Sequence, residues 1–213
     1  MAGTTSASTT TAAARGAARL HWRVVDMVTA AILGVACGLI FVVWNQIGGA
    51  GYAAIDALTP GFGGLLAGIW YLGGVIGALV IRKPGAAIFV EVLAAAVSTA
   101  FGSQWAISTL YSGIVQGLGV ELVVLLFAYR RFSLAVAMLG GIGAGVGAWV
   151  FEGFYGATPN FAKGTTYNLI YLGAQVVTGA VLAGLVGWLL VRALAQTGAL
   201  DRFAAGREVR ARV

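Results

Sequence analysis

Long apolar stretches separated by short basic clusters form the pattern of hydrophobic and polar positions along the chain. Six stretches are each close to the roughly 20 residues that a helix needs to cross the hydrocarbon core of a bilayer. They run over 24–43, 62–81, 86–105, 107–128, 134–151 and 169–191. The pattern therefore predicts an all-α integral membrane protein with six transmembrane helices.

The basic residues fall in every second connection between these stretches. The clusters are Arg15, Arg19 and Arg23; Arg82 and Lys83; Arg130 and Arg131; and Arg192 with Arg202. Lys and Arg in short loops are retained on the cytoplasmic side of a membrane. We therefore expect both termini in the cytoplasm and three outer loops at 44–61, 104–107 and 152–168, which together contain one Lys and no Arg.

Composition supports a membrane protein rather than a soluble or nucleic-acid-binding one. Hydrophobic residues make up 60% of the chain and charged residues 9%, with a mean hydropathy of +0.92, whereas a soluble domain carries about 25% charged residues. The net charge of +6 is dispersed over flanks and loops instead of forming one patch. The single cysteine, Cys37, lies in an apolar stretch, where an internal disulfide has no second partner.

The two ends of the chain differ from its centre. Residues 1–21 are rich in Ser, Thr and Ala and lack the apolar core of a secretory signal, which predicts a disordered cytoplasmic tail. Residues 22–192 form the expected membrane domain, and 193–213 return to mixed charge as a cytoplasmic C-terminal tail. Eleven Arg against two Lys, with abundant Ala and Gly, suits a GC-rich bacterial genome, so we place the protein in a bacterial plasma membrane.

Small residues recur at four-residue spacing inside the stretches. Examples are Ala30, Gly34 and Gly38 in the first, and the pairs Gly141 with Gly145 and Gly143 with Gly147 in the fifth. Such spacing allows helix backbones to approach closely in lipid. One interpretation is packing within the bundle, and the other is that the stripe of the first helix docks another membrane subunit.

Two carboxylates, Glu91 and Glu121, lie well inside apolar stretches, where insertion of an acid costs at least about 2.5 kcal/mol. At about 1.5 Å per residue, Glu91 lies about 8 Å and Glu121 about 12 Å from the cytoplasmic ends of their stretches. Glu91 belongs to a face of small and polar residues on the third predicted helix. Gln116 shares a face of the fourth helix with Thr109 and Ser112, and the sixth stretch also has a polar face. These faces predict a polar cavity between the third, fourth and sixth helices. Alternatively, each acid only bonds a neighbouring helix or Arg.

Glu152 lies at the outer end of the fifth stretch, beside Phe151, Phe154 and Tyr155. An acid among aromatic rings can hold a flat cationic ligand by charge and stacking. A solvated carboxylate in an ordinary interfacial aromatic belt is the competing interpretation.

Catalytic chemistry finds little support in the chain. His21 is the only histidine and lies in the N-terminal flank, and the phosphate-binding motif G-x-x-x-x-G-K-[ST] does not occur. We therefore predict no catalytic residues, no metal site and no cofactor. The expected class is a binding subunit whose energy comes from elsewhere.

Two segments resemble a known family. RKPGAAIFVEVLAA, from Arg82, and STLYSGIVQGLGVELVVLLFAYRRF, from Ser108, are similar to the YkoE family of substrate-binding S components from energy-coupling factor (ECF) vitamin transporters. The similarity extends over about 22–192. It implies a six-helix S-component fold, an outward-opening vitamin site, and function with a transmembrane coupling (T) subunit and two cytoplasmic ATPases. For this family the implied ligand is thiamine or its hydroxymethylpyrimidine precursor.

The resemblance and the ligand chemistry together select candidate residues. The aminopyrimidine ring needs stacking and an acid or amide partner, and the thiazolium cation favours a carboxylate or an aromatic face. We expect Glu121 and Gln116 at the pocket floor and leave a structural role open for Glu91. The full set is Glu121, Gln116, Glu152, Trp44, Asn45, Gln104, Trp105, Tyr155, Tyr167, Asn168, Gln175 and Glu91. The pattern Ala30, Gly34 and Gly38 is similar to the alanine-spaced signature with which many S components dock their partner, so we expect these three residues to dock the T subunit.

Two alternatives stay open. The first is an S component for another heterocycle, such as riboflavin or biotin, which lack the fixed cation of thiamine. The second is a small channel or a structural subunit of a membrane complex, although the chain shows no convincing internal repeat.

Overall fold

The computed structural model describes residues 20–155 and 159–211. The expected tail over 1–21 therefore lies almost wholly outside the described residues. The helices are α1 (Val24–Leu58), a 3₁₀ helix (Phe62–Tyr71) that continues as α2 (Leu72–Ile81), α3 (Ala86–Ala100), α4 (Ser108–Leu126), α5 (Leu134–Phe154), a 3₁₀ turn (Asn160–Lys163), α6 (Thr165–Thr178), a π-helical segment (Gly179–Leu185), α7 (Val186–Gln196) and α8 (Ala204–Arg210).

Within the described residues, five helical segments are long and apolar enough to cross a membrane. They are Val24–Leu58, Phe62–Ile81, Ser108–Leu126, Leu134–Phe154 and Thr165–Gln196. Helix α3 is apolar but has 15 residues, or about 22 Å of helix against a hydrocarbon core of about 30 Å. The all-helical membrane architecture is confirmed, and a sixth crossing by α3 stays a prediction.

Among the helix boundaries that differ from the sequence prediction, the ends of α1 and α3 change the outer loops most. Helix α1 continues to Leu58, so most of the expected outer loop at 44–61 is helical. Its glycines weaken a helix without ending it, whereas Pro60, two residues beyond, cannot continue one. Helix α3 stops at Ala100 because Gly102 follows with φ of +94°, a left-handed conformation that ends the helical course.

Helix α2 is the centre of the bundle. All ten of its residues are buried, and it packs against α1, α3, α4, α5 and α7. The 3₁₀ helix before it is long for its type. Thr178 of α6 holds this segment, since its Oγ1 accepts from Gly68 N at 3.1 Å and donates to Leu65 O at 2.6 Å. This tether brings the end of the 3₁₀ helix against α6.

Glycines of α5 let two neighbouring helices pack at backbone distance. A Cβ atom at Gly143 would lie 2.4 Å from Gly119 O on α4, and one at Gly141 would lie 1.9 Å from Gly179 O. Neither distance leaves room for a side chain. The expected packing role of these small residues within the bundle is confirmed.

The small stripe of α1 also packs inside the chain. Ala30 is fully buried, and Cβ atoms at Gly34 and Gly38 would lie within 2.7 Å of Leu93 and 2.6 Å of Val97 on α3. The structure therefore corrects the expectation that Ala30, Gly34 and Gly38 dock another subunit. These residues are already covered by α3, because small side chains on one helix admit the larger ones of its neighbour.

Candidate functional site

A cavity of about 270 Å³ opens between α1, the 3₁₀ helix, α3, α4, α5 and α6. Its walls combine aromatic rings with polar side chains from six segments of the chain. The lining residues are Phe41, Asn45, Tyr52, Ala67, Trp70, Glu91, Ala95, Trp105, Ser108, Thr109, Ser112, Gln116, Phe151, Glu152, Tyr155, Asn160 and Tyr171. A mainly apolar cavity with a few convergent polar groups is typical of small-molecule sites.

Glu152 is held in this cavity by side chains of α6. Its Oε2 accepts from the Tyr171 hydroxyl at 2.5 Å and from Gln175 Nε2 at 3.3 Å. Tyr52 of α1 donates to the Tyr171 hydroxyl at 2.8 Å, and Tyr71 donates to Gln175 Oε1. Two donors of α6, each supported by a further tyrosine, therefore hold one oxygen of the carboxylate, and Glu152 forms no ion pair with a described residue.

Glu91 is the second carboxylate of the cavity and is bonded differently. Its Oε2 accepts from Gly74 N at 2.5 Å, and a Cβ at Gly73 would lie 2.9 Å from the same oxygen. The side chain is 1% exposed, and its Oε1 is buried without a hydrogen-bond partner in the described part of the chain. Because an unpaired buried acceptor is costly, this oxygen is a candidate for bonding a donor from a ligand.

Aromatic and amide groups connect the walls between the two acids. Trp70 and Trp105 meet edge to face with ring centroids 5.0 Å apart. Trp70 Nε1 donates to Asn45 Oδ1 at 2.9 Å, and Asn45 Nδ2 donates to Ser98 Oγ at 2.9 Å. These bonds orient the indole of Trp70, which gives the cavity a fixed aromatic wall.

Six of the predicted substrate-binding residues line the cavity. They are Asn45, Glu91, Trp105, Gln116, Glu152 and Tyr155. Gln175 lies just behind them, where it bonds Glu152. The structure therefore brings together residues from the third and fourth apolar stretches and from two of the expected outer loops.

Two predicted residues at the loops support neighbouring segments instead. Trp44 donates its Nε1 to Leu66 O at 3.0 Å and so ties α1 to the 3₁₀ helix. The amide of Gln104 packs over Gly49, where a Cβ would lie 2.5 Å from Nε2. Neither side chain lines the cavity.

Tyr167 and Asn168 of α6 also lie outside the cavity lining. The Tyr167 hydroxyl donates to the Asp56 carboxylate at 3.2–3.3 Å. Asn168 Nδ2 donates to Asn160 O at 2.7 Å and to Gly164 O at 2.8 Å. They fix the start of α6 against the preceding turn and the end of α1, which positions Tyr171 one turn further on.

Glu121 is not at the floor of the cavity. Its Oε1 accepts from Gly85 N at 2.6 Å and from the Tyr129 hydroxyl at 2.5 Å, and its Oε2 accepts from Ala87 N at 3.1 Å. Free backbone N–H groups at a helix start favour a carboxylate, so Glu121 caps α3. Burial and then Glu121 raise the pKa of the Tyr129 hydroxyl, which stays protonated as the donor.

Eleven of the lining residues were not selected from the sequence, and three of them, Tyr52, Trp70 and Tyr171, are aromatic residues held by hydrogen bonds. Trp70 lies in an apolar stretch without polar residues at helical spacing from it, so the sequence did not mark it as a site residue. Tyr52 lies in a segment that was expected to be a loop. Tyr171 had the clearest signal, since it belongs to the polar face of the sixth stretch. Its contact with Glu152 depends on how α5 and α6 pack, which spacing along one helix does not reveal.

Comparison with known proteins supplies a second line of evidence. Residues 25–147 match the family described as ABC-type cobalt transport system, permease component. A solved structure described as "Crystal structure of an S-component of ECF transporter" is 32% identical, with a TM-score of 0.82 over 90% of this chain and 95% of that chain. A protein of Bacillus subtilis (strain 168) named "Putative HMP/thiamine permease protein YkoE" is 34% identical over 191 residues, covering 89% of this chain and 92% of the relative.

Fold and site therefore define a transporter subunit rather than an enzyme, of the class of ECF S components. S components bind a small-molecule substrate and work with a T subunit and ATPases. The match to the Bacillus subtilis protein covers nearly the whole length of both chains and so identifies a family within this class. The chain belongs to the YkoE family.

Proposed function

We propose that this subunit captures thiamine or its hydroxymethylpyrimidine precursor from outside the cell in the cavity described above. The observation that carries the proposal is the pair of carboxylates, buried Glu91 and half-buried Glu152, in one cavity walled by aromatic rings. Thiamine joins an aminopyrimidine donor to a thiazolium cation, so it has a partner for each acid. The name of the Bacillus subtilis relative supports the same ligand class.

The two acids suit different parts of the vitamin. Glu91 has an oxygen without a hydrogen-bond partner among the described residues, which suits the exocyclic amino group of the pyrimidine as donor. The carboxylate of Glu152 already accepts from Tyr171 and Gln175, so it offers charge more than a vacant acceptor. We therefore assign the pyrimidine to Glu91 and the thiazolium to Glu152.

The aromatic walls supply the stacking surface for a flat ring. Trp70, Trp105 and Tyr171 come from separate segments and all line the cavity. Trp70 and Tyr171 are each anchored by a polar bond to a neighbour. Rings that are fixed before binding lose little conformational freedom when the ligand enters.

The proposal also includes the topology and the partners. We propose six crossings, with α3 as the third, both termini in the cytoplasm of a bacterial cell, and tails at 1–21 and 193–213 flanking the membrane domain. A T subunit and two cytoplasmic ATPases would supply the energy that exposes the bound vitamin to the cytoplasm. The basic loops at 82–83 and 130–131 support this orientation.

Isothermal titration of the purified protein tests the ligand. Wild-type protein is titrated with thiamine, hydroxymethylpyrimidine, riboflavin and biotin. We expect micromolar or tighter binding of thiamine or hydroxymethylpyrimidine, which corresponds to a binding free energy of about −8 kcal/mol or lower. Selective binding of riboflavin or biotin would replace the proposed ligand. Binding of none of the four would favour a structural or channel subunit.

A further inference from the structure

A second cavity, of about 430 Å³, lies at the opposite end of the bundle from the substrate cavity. It is formed where α1 begins, where α2 and α4 end, and where α8 packs back against the bundle. Cationic side chains dominate its lining: Arg23, Arg82, Lys83, Arg130 and Arg207 all contribute, with Glu208 as the carboxylate among them. The cavity lies at the level where apolar helices give way to basic loops.

Nearby carboxylates account for three of these cations. Asp26 pairs with Arg23 at 2.8 Å and also with Lys83. Arg82 donates two bonds to Glu208, at 2.5 and 2.8 Å. These ion pairs hold the walls of the cavity in place.

Two cations of the cavity have no such partner. Arg130 and Arg207 are exposed, and neither forms an ion pair with a residue that the structure describes. Arg207 donates to the backbone carbonyl of Arg202 at 3.0 Å, which orients the guanidinium without neutralising it. Glu121 does not compensate them, because its oxygens bond the start of α3 and Tyr129. The cavity therefore retains positive charge for an anionic ligand.

An apolar groove begins close to this cavity. The groove starts at Gly85, two residues after Lys83, and follows one face of α3 past Phe89 and Leu93 to Ala96. Its volume is about 460 Å³ and its lining is almost wholly apolar. Because α3 is shorter than the hydrocarbon core, this face is where the bilayer has to adapt to the protein.

We propose that the basic cavity binds the headgroup phosphate of an anionic phospholipid, with an acyl chain of the same lipid along the α3 groove. Basic pockets between helices at the cytoplasmic surface select such headgroups. Arg130 and Arg207 supply the positive charge for the headgroup phosphate. The groove favours a lipid over a free phosphate ion, because only the lipid has an acyl chain that can occupy it. The cavity is separate from the substrate site and shares no lining residue with it.

Native mass spectrometry of the full-length protein tests this site. Delipidated protein is mixed with phosphatidylglycerol or phosphatidylcholine, and retained lipid is counted for wild type, R130Q/R207Q and R131Q/R202Q. The last variant is the matched control, since it removes the same charge from exposed neighbours outside the cavity. A parallel arm competes bound lipid with inorganic phosphate. Thermal unfolding in detergent checks that all three proteins are folded.

We expect wild type and R131Q/R202Q to retain phosphatidylglycerol over phosphatidylcholine. R130Q/R207Q should bind phosphatidylglycerol about 25-fold more weakly, at about fivefold for each cation removed from an anionic headgroup. Equal weakening in the control variant would show unspecific charge attraction and overturn the proposal. Displacement of the lipid by phosphate ions at low concentration would overturn the lipid proposal and indicate a site for small anions instead. Equal retention of both lipids would overturn it outright.

Discussion

At the scale of single residues, the same side chain, glutamate, has three different roles in this bundle. Glu121 receives backbone N–H groups at a helix start, Glu152 is held by a tyrosine and an amide, and Glu91 keeps one buried oxygen unpaired. Depth in the apolar stretches singled out Glu91 and Glu121, but depth alone does not distinguish a cap from a ligand contact. That distinction depends on the neighbouring helix, which the sequence of one stretch does not contain.

Replacing Tyr171 by Phe tests how the Glu152 carboxylate is positioned. The change keeps the ring but removes the hydroxyl that donates to Glu152 and accepts from Tyr52. A hydrogen bond to a charged group is worth about 1.5–3 kcal/mol, so thiamine affinity should fall at least tenfold in calorimetry. Tyr111→Phe is the control, because the Tyr111 ring lies outside the cavity lining. Equal affinities for both variants would contradict this role.

At the scale of elements, close backbone packing and helix capping determine how the cavity is framed. Helix α5 approaches α4 and the π-helical segment at glycines, and α3 starts at a carboxylate from α4. The sequence predicted the small-residue packing of α5 because four-residue spacing reports directly on one helix face. It left the stripe of α1 open between packing within the bundle and docking of a partner subunit, since spacing does not reveal what lies opposite.

Gly143→Ala should loosen the contact of α5 with α4. A Cβ at this position would lie 2.4 Å from Gly119 O, and overpacking of this kind costs about 1–3 kcal/mol. We expect a lower midpoint of thermal unfolding in detergent. Gly173→Ala on α6 is the matched control, because its Cβ would meet open space. The account is contradicted if both variants melt at the same temperature.

Glu121→Gln should lower stability without changing the affinity of the folded protein for its ligand. The amide loses the negative charge that faces two backbone donors at the start of α3 and the Tyr129 hydroxyl. Loss of a helix cap costs about 0.5–2 kcal/mol, which thermal unfolding measures. If the variant has unchanged stability but weaker thiamine binding, Glu121 contacts the ligand and the capping role is wrong.

At the scale of the whole molecule, hydrophobic length and charge predicted the architecture well, and the cavity poorly. Five of the six apolar stretches recur as helices long enough to span, because burying about 20 residues in lipid needs little tertiary detail. The cavity needs six segments at once, including Trp70 in a 3₁₀ helix that is held by Thr178. No local pattern specifies that arrangement.

Single cysteines test the proposed topology. Thr59→Cys and Gln104→Cys should react with an impermeant thiol reagent in intact cells, whereas Arg131→Cys should react only after permeabilisation. All three positions are exposed, and the native Cys37 is buried. Labelling of Gln104→Cys from inside and of Arg131→Cys from outside would mean that α3 does not cross.

Affinities of thiamine and hydroxymethylpyrimidine for Glu91→Gln and Glu152→Gln test the central claim most directly. Replacement of the Glu91 carboxyl by an amide should weaken both ligands at least tenfold, because both carry the aminopyrimidine that we assign to Glu91. Loss of the Glu152 charge should weaken thiamine by a similar factor and leave the uncharged pyrimidine within about twofold of wild type. Unchanged binding of both ligands to both variants would contradict the assignment of this cavity as the substrate site.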